Sequence, residues 1–273
     1  MSIEEGLIPT PAGVQLFYRF QAGDPKKNPL FLIHGHGEHS GRYLKFFTRL
    51  QDLGYSIAAF DLRGCGRSSG RRVFVDHFED YTGDVDTVFN FLTKQQKVNP
   101  PVILFGHSLG GLIALTWARA NGGKISKLIL SSPLIGVPLE ETKFRLGLFL
   151  DRLAPRLVLQ NPVRPNYLTH DPEEIQKYQR DPLIQRKITA RLACEMIRQA
   201  RLIRQEAYSA SFPVYLLMAK EDRIVDPEAT RRFFSRLQAP ARELEEFKGF
   251  YHEIFNELGQ ARTFERLRHY LIR

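Results

Sequence analysis

One serine of this chain lies in a pattern that presents a hydroxyl nucleophile on a tight turn. Ser108 is the central residue of a Gly-x-Ser-x-Gly sequence at 106–110, directly after the apolar run 102–105. The run predicts a short buried strand, and residues 109–120 predict the helix that follows it. Glycines on both sides permit the close backbone approach that a strained strand-to-helix turn requires. We therefore expect Ser108 to attack a carbonyl carbon, with the backbone N–H of Leu109 directed at the same space.

A serine hydroxyl is a weak nucleophile at neutral pH, so it needs a base within hydrogen-bond reach and an acid that orients the base. For a nucleophile on this kind of turn, the acid and then the histidine follow later in the chain. His170 and His269 lie in an irregular helical segment and in an amphipathic helix, which favours surface or packing roles. His252 lies in a loop after the last predicted strand, where catalytic groups concentrate. We predict that His252 is the base.

Two aspartates compete for the role of the orienting acid in the loop after the apolar run 214–218. Asp226 immediately precedes Pro227, and an aspartate before a proline at the first helical position is typical of a helix N-cap. That structural role accounts for Asp226, which leaves Asp222 as the predicted acid. The neighbouring Glu221 is expected to point elsewhere.

A second N–H donor for the oxyanion is expected from the Gly-rich loop 34–37, which follows the early strand 30–33. His36 is the predicted donor through its main-chain N–H, so its imidazole needs no role. His34, His36 and His39 also suggest a metal site, but they lack a recognised ligand signature. Because a serine, histidine and aspartate set needs no metal, we expect no metal and no other cofactor.

Strand-like runs alternate with helical patterns along most of the chain, which predicts a mostly parallel sheet with helices on both faces. The predicted strands cover residues 14–20, 30–33, 56–60, 102–105, 127–130, 214–218 and 242–247. The predicted helices cover residues 43–53, 81–92, 109–120, 227–237 and 260–272. Between residues 134 and 208 the alternation stops, and the segment is helical, irregular and rich in Arg, Leu and Pro. We therefore predict a core formed by residues 1–133 and 209–273, with residues 134–208 inserted as a helical cap.

Composition limits the class of protein and its partners. A hydrophobic content of 43% and a charged content of 25% are those of an ordinary soluble globular protein. The net charge of +9 favours anionic partners, but the basic residues are scattered without a recognised motif, so we expect no nucleic acid partner. Cys65 and Cys194 suggest no disulfide framework, and packing is the default role for both. An acidic N-terminus and the lack of a run of about 20 apolar residues predict a cytoplasmic protein, with adsorption to a lipid surface left open.

Five motifs together resemble the monoacylglycerol lipase and lysophospholipase branch of the serine α/β-hydrolases. They are HGHGEHSGRY at 34–43, DLRGCGRSSG at 61–70, GHSLGG at 106–111, EDRIVD at 221–226 and YHE at 251–253. The resemblance covers the whole core but barely the cap. It implies an α/β-hydrolase fold with an inserted helical cap, a triad of Ser108, Asp222 and His252, and an oxyanion hole formed by the N–H groups of His36 and Leu109.

Three further residues bear on the alcohol side of the ester. In the family that the chain resembles, the Glu and Arg after the oxyanion loop belong to a polar network on that side, which implies substrate contact for Glu38 and Arg42. Their spacing of four residues is equally typical of a simple helical ion pair. Phe255 departs from the mammalian pattern, which has a second histidine there, and this weakens the case for glycerol specificity in particular.

The cap segment 144–153 has apolar residues on most of its turns and basic residues at its fringe, Arg145 and Arg152. Such a segment suits a lid that touches an anionic membrane surface. The alternative, that it packs on the core over the active site, is favoured because most amphipathic helices face a core.

The sequence therefore predicts a serine hydrolase that cleaves carboxylic esters of acyl chains through an acyl-enzyme on Ser108. A monoacylglycerol or a lysophospholipid is the favoured substrate. A small-ester carboxylesterase is one alternative. A serine aminopeptidase is another, in which Glu195 or Glu206 of the cap would hold a free amine. A ligand receptor without catalysis is disfavoured because every member of the triad is present.

Overall fold

A large sheet contains every strand that the sequence predicted. In the computed structural model, which describes residues 2–138, 141–161 and 163–273, the strands in chain order are β1 Glu4–Pro9, β2 Gln15–Gln21, β3 Leu30–Ile33, β4 Ile57–Phe60, β5 Val102–His107, β6 Ile125–Ser131, β7 Val158–Gln160, β8 Lys187–Thr189, β9 Val214–Ala219 and β10 Arg242–Phe247. β7 and β8 pair with each other, and the other eight form one sheet in the order β1-β2-β4-β3-β5-β6-β9-β10. The pairings of β2 with β1 and with β4 are antiparallel, and the pairings from β4 to β10 are parallel.

Helices cover both faces of this sheet, as the sequence predicted. In chain order they are α1 Leu44–Arg49, α2 Glu79–Lys94, α3 Leu109–Ala120, α4 Glu141–Leu153, α5 Pro172–Arg180, α6 Ala190–Gln205, α7 Pro227–Arg236 and α8 Gln260–Ile272. Successive residues of β5 point to opposite faces: Leu104 packs in the cluster that includes α2 and α3, whereas Phe105 packs in the cluster that includes α1 and α8. The fully apolar pattern of the central strands follows from this burial on both faces.

One predicted helix is divided into shorter elements, and the strands β1, β7 and β8 were not predicted. The helix predicted over 43–53 is divided into a 3₁₀ turn at Ser40–Tyr43, the short α1 and a second 3₁₀ turn at Gln51–Leu53, which Gly54 ends with a φ of +68°. The unpredicted β1 is an edge strand with mostly exposed residues, so its sequence lacks the apolar run that marks the central strands.

The segment predicted as a cap begins after β6 and ends before β9. Its described residues contain α4, α5, α6 and the β7–β8 pair, and they contribute no strand to the large sheet. Residues 139, 140 and 162 of this segment lie outside the described residues. α4 packs against α6 with Phe144 and Asp151 buried, and Asp151 pairs with Arg191 and Arg198 of α6. The division of the chain into core and cap remains a prediction.

A helix that crosses a bilayer needs about 20 predominantly apolar residues. No helix among the described residues is long and apolar enough to do so.

Candidate active site

Ser108 lies between β5 and α3 in a strained backbone conformation. Its φ of +51° and ψ of −118° lie outside the regions that residues with a side chain usually adopt, at a cost of about 1–3 kcal/mol. Four backbone hydrogen bonds hold it there. The Ser108 N–H donates to the carbonyl of Ser131 at 3.0 Å, and the Ser108 carbonyl accepts from the N–H groups of Gly111 at 3.0 Å, Leu112 at 3.2 Å and Leu134 at 2.9 Å.

The two glycines of the motif have no room for a side chain. A Cβ on Gly106 would lie 2.4 Å from the carbonyl oxygen of Gly110, and a Cβ on Gly110 would lie 2.2 Å from the carbonyl oxygen of Ile33. These contacts are backbone to backbone, so no side-chain movement could relieve them. The expected close approach of neighbouring elements at this turn is confirmed.

His252 and Asp222 form a buried hydrogen-bonded pair at the ends of β10 and β9. His252 Nδ1 donates to Asp222 Oδ2 at 2.7 Å, and the two side chains are only 4% and 1% exposed. The other oxygen, Oδ1, accepts from the N–H groups of Ile224 at 2.8 Å and Val225 at 3.0 Å, which fixes the carboxylate plane. Because a carboxylate only accepts, Nδ1 carries the proton and Nε2 is left as the basic nitrogen.

The pKa values around this pair favour a single base. Burial alone would lower the pKa of His252, but the negative charge of Asp222 and its hydrogen bond outweigh burial and raise it. The neighbouring His107, whose ring centroid lies 4.9 Å from that of His252, has its pKa lowered to about 4 by burial and by His252. His107 therefore stays neutral while His252 titrates.

The rejected acids have the alternative roles that the sequence suggested. Asp226 caps α7 and accepts from the N–H of Glu228 at 2.9 Å, and it lies 3.5 Å from Arg232. Glu221 points away from His252 and accepts from the N–H of Gly249 at 2.7 Å.

The predicted oxyanion donors lie on the two sides of the nucleophile. Leu109 is the first residue of α3, and the loop that holds His36 is in contact with Ser108, because a Cβ on Gly35 would lie 3.2 Å from Ser108 Cβ. Within the described residues, neither the His36 N–H nor the Leu109 N–H donates to another protein group. Free N–H groups beside a nucleophile are what an oxyanion hole requires.

A cavity of about 770 Å³ connects these groups. Of the residues predicted for the site, Ser108, His252, His36, Glu38 and Arg42 line it. Apolar side chains form most of the remaining wall. They include Leu134, Val137, Phe144, Leu150, Leu159, Ile188, Met196 and Ile197.

Glu38 and Arg42 are more than a helical ion pair, because a third buried side chain completes a network. Arg42 Nη1 donates to Glu38 at 3.0 Å, and both terminal nitrogens of Arg42 donate to Glu253, at 2.5 and 2.7 Å. The second oxygen of Glu38 accepts from the N–H of Gly35 and the hydroxyl of Tyr43, each at 2.6 Å. All three charged members of the network line the cavity.

Glu253 is the functional residue that sequence reasoning missed. Burial alone would raise its pKa, but Arg42 and the amide of Asn256 lower it to about 2, so the carboxylate stays charged. One feature of the sequence indicated this role, the position of Glu253 directly after His252. A charged residue in the loop of the predicted base must be either exposed to solvent or paired with an opposite charge. Phe255, in contrast, packs among Phe46, Phe105 and Phe264 and does not line the cavity.

In the described part of the chain, the remaining histidines do not form a cluster that could bind a metal ion. His34 accepts from the N–H of Leu62 at 2.9 Å, His39 pairs with Asp181 at 2.9 Å, and His170 stacks on Tyr251. Among the residues that the structure describes, no group of three or more His, Cys, Asp or Glu side chains could hold a metal ion.

The two cap carboxylates proposed for an aminopeptidase lie elsewhere. Glu195 accepts from the N–H of Phe78 and pairs with Arg198, and Glu206 pairs with Arg119. Neither is among the described residues that line the cavity.

Comparison with known proteins agrees with this geometry. The family model Hydrolase_4, described as serine aminopeptidase S33, matches residues 24–259. The chain belongs to this family of serine hydrolases. Human monoglyceride lipase is 30% identical over 257 residues, which span 91% of this chain and 83% of the human protein.

Relatives of the family differ in length. The uncharacterized protein YnbC of Escherichia coli is 30% identical over 98% of this chain, which spans only 47% of YnbC, about half its length. The crystal structure of Paleococcus ferrophilus monoacylglycerol lipase superposes with a TM-score of 0.82 at 31% identity, covering 100% of this chain and 99% of that chain. The predicted α/β-hydrolase fold and the resemblance to monoacylglycerol lipases are thereby confirmed.

The pairing of His252 with Asp222 leads to a titration prediction. An Asp222→Asn variant should have a lower pKa at His252, because the charge that opposes burial is removed. The imidazole would then become neutral at a lower pH than in the unaltered protein. Histidine resonances followed by NMR across a pH series measure this pKa directly.

Asp226→Asn is the matched control, since it removes the same charge from the cap of α7 and should leave the pKa of His252 unchanged. Equal His252 pKa values in the Asp222→Asn variant and the unaltered protein would contradict the assignment of Asp222 as its partner.

Proposed function

We propose that the protein hydrolyses carboxylic esters of acyl chains and that monoacylglycerols are its substrate class. The observation that carries the proposal is the position of Ser108 and His252 on the wall of one apolar cavity of about 770 Å³. This volume lies within the range of about 300–1,000 Å³ that is common for ligand sites. Monoglyceride lipases among the relatives support the same substrate class.

In the proposed reaction, Ser108 Oγ attacks the ester carbonyl and His252 Nε2 takes the hydroxyl proton. The N–H groups of His36 and Leu109 stabilise the negative charge on the carbonyl oxygen. His252 then gives its proton to the leaving alcohol, which leaves an acyl group on Ser108. A water molecule, deprotonated by His252, then attacks the acyl carbonyl; the bond to Ser108 Oγ breaks, the fatty acid is released, and His252 returns its proton to Oγ. Asp222 stabilises the imidazolium in both steps.

The apolar wall favours a long acyl chain. Side chains from α4 and α6, such as Phe144, Leu150 and Ile197, supply much of this wall. Each buried methylene of a substrate gains about 0.8 kcal/mol on leaving water, so a cavity of this extent discriminates against acetate and butyrate esters. A small-ester carboxylesterase would leave most of the apolar wall without a ligand.

The charged network favours a neutral alcohol. Arg42 is bound by two carboxylates, Glu38 and Glu253, so the network carries one negative charge more than it has positive charge. Glycerol hydroxyls can donate to these carboxylates. A phosphate placed there would face an excess of like charge and an arginine that is already engaged. We therefore favour a monoacylglycerol over an anionic lysophospholipid.

The same network disfavours the aminopeptidase alternative. A peptidase of that kind needs an unpaired carboxylate for the amine of its substrate. The predicted carboxylates, Glu195 and Glu206, lie outside the cavity lining, and the two carboxylates within it share Arg42.

We also propose that α4 contacts an anionic lipid surface. Three of its side chains, Leu146, Phe149 and Leu153, are 57–65% exposed, while Phe144 faces the cavity. Arg145 and Arg152 flank the exposed apolar side chains. A helix with an exposed apolar stripe and a basic fringe is typical of interfacial binding. One face of α4 thus packs inward, as expected for a core-facing helix, and the other is free for a lipid.

A serine-dependence experiment tests the proposed reaction. Ser108→Ala should lower kcat/KM by about 10⁴-fold or more and abolish fluorophosphonate labelling, because no other group replaces the nucleophile. Rates for p-nitrophenyl acetate, butyrate, octanoate and palmitate, and for 1-oleoylglycerol, should rise from the short to the long acyl chains. Ser211→Ala, which changes an exposed serine, is the control and should retain the full rate. Persistent turnover by Ser108→Ala, or a preference for acetate, would refute the proposal.

The headgroup preference is tested by removing one carboxylate of the network. Glu253→Gln keeps the shape of the side chain but removes the excess negative charge, which leaves Arg42 with one carboxylate partner. The ratio of kcat/KM for 1-oleoyl lysophosphatidic acid to that for 1-oleoylglycerol should then rise by about tenfold or more. The control Glu265→Gln removes a charge from an exposed position and should leave the ratio unaltered. An unchanged or lower ratio in Glu253→Gln would be evidence against this account of specificity.

Lipid contact by α4 is tested by co-sedimentation with phosphatidylcholine vesicles that contain phosphatidylglycerol. A Leu146→Ser, Phe149→Ser double variant should bind these vesicles at least several-fold more weakly, because two exposed apolar groups are lost. Leu258→Ser, which alters a leucine 70% exposed outside the cap, should bind like the unaltered protein. Equal losses in both proteins would exclude a specific role for α4.

A further inference from the structure

Four arginines surround a second, smaller cavity of about 460 Å³, where the C-terminal part of α6 meets α7. We name it the arginine pocket. Its lining residues are Arg201, Arg204, Gln205, Ala229, Arg232, Ser235 and Arg236. The described residues that line this pocket have more hydrogen-bond donors than acceptors, and none of them has a carboxylate.

The partners of these arginines leave positive charge uncompensated. Arg201 donates to Glu141 at 2.7 Å, and Arg232 lies 3.5 Å from Asp226. Within the described part of the chain, the Arg204 guanidinium makes no hydrogen bond or ion pair, and its Nε is shielded from solvent without an acceptor. Burial lowers the pKa of Arg204, and the like charges of Arg201 and Arg232 add to this effect while Asp226 opposes it.

Ordinary helix-end electrostatics accounts for two of the four. Cations are favoured near the carbonyl groups at a helix C-terminus. Arg236 is the last residue of α7 and donates to the carbonyl of Arg204, and Arg204 itself lies in the last turn of α6. Arg232 instead approaches Asp226 at the beginning of α7. The Arg204 guanidinium lies against Gly136, with Nη1 3.5 Å from the position of a Cβ there.

We propose that the arginine pocket binds a phosphate group, supplied by a soluble polyphosphate or by a lipid headgroup. A guanidinium presents parallel N–H donors that match two phosphate oxygens. A phosphate bound by Arg204, Arg201 and Arg232 would therefore supply the acceptor that Arg204 lacks. The pocket bridges α6, in the predicted cap, and α7, in the predicted core. A bound phosphate would therefore connect the two helices through charge-assisted hydrogen bonds.

The arginine pocket also adjoins the ester site. Arg201 and Arg204 line both cavities, and the Arg201 guanidinium lies over the Phe144 ring at 3.8 Å. These arginines contact the apolar wall rather than the network of Glu38, Arg42 and Glu253. Phosphate binding in the arginine pocket does not depend on ester hydrolysis, so its test uses no ester substrate.

Thermal unfolding with sodium pyrophosphate tests the soluble source, with sodium chloride at equal ionic strength as the reference. Pyrophosphate at saturation should raise the Tm of the unaltered protein by about 4 °C or more over the reference. Arg204→Gln and Arg232→Gln should each lose at least half of this shift. Arg262→Gln removes one charge from an exposed arginine on α8, outside the pocket, and should retain the shift in full.

Co-sedimentation with phosphatidylcholine vesicles containing phosphatidic acid tests the lipid source. If pyrophosphate gives no shift but Arg204→Gln binds these vesicles at least threefold more weakly than Arg262→Gln, the phosphate belongs to a lipid and the proposal holds. If the pyrophosphate shift depends on Arg204 and Arg232, the soluble source is supported. Equal responses of all four proteins in both experiments, or no response in either, would overturn the proposal.

Discussion

Backbone packing around Ser108 is the constraint on which the rest of the site depends. The strained φ of Ser108 persists because β5, α3 and the end of β3 meet at Gly106 and Gly110, where no side chain fits. The same contact brings the loop after β3 against the nucleophile, so that Gly35 lies beside Ser108. One packing arrangement therefore fixes the serine, the start of α3 and the loop that contains His36. The geometry of the proposed oxyanion hole follows from this arrangement.

Buried charge then joins loops that are distant in the sequence. Arg42 and Glu253 are separated by 211 residues and form a two-point ion pair beside the cavity. Because Glu253 directly follows His252, this pair holds the loop of the predicted base against the loop of the predicted oxyanion donor. A buried carboxylate without partners would be costly. Here the side chains of Arg42, Asn256 and Tyr43 and the N–H of Gly35 donate to the carboxylates of the network. The same ion pairs thus neutralise the buried charges and align the two loops of the site.

The sequence predicted those parts of the molecule that local patterns determine. The strands buried on both faces have continuous apolar runs, and α3, α8 and β10 have the predicted bounds. β1 was not predicted because an edge strand with exposed residues needs no apolar run. β7 and β8 were not predicted because a strand of three residues is too short to show a periodic pattern. At the site, Ser108 and His252 were evident from motif and loop position. Glu253 was missed because only its position after His252 pointed to it, and its pairing with Arg42, 211 residues away, has no local pattern.

The segment between β6 and β9 supplies much of the cavity wall, an exposed apolar surface and part of the arginine pocket, and none of these depends on the five sequence motifs. α4 and α6 supply apolar wall to the larger cavity, exposed apolar side chains face outward from α4, and α6 contributes two arginines to the arginine pocket. None of these residues takes part in the backbone packing that strains Ser108. Substitutions in α4 and α6 can therefore alter acyl length, lipid contact or anion binding while Gly106, Gly110 and the His252–Asp222 pair remain in place. The five motifs that carry the resemblance to monoacylglycerol lipases all lie outside this segment. The backbone packing at Gly106 and Gly110 leaves no room for a side chain, whereas α4 and α6 need only enclose the cavity.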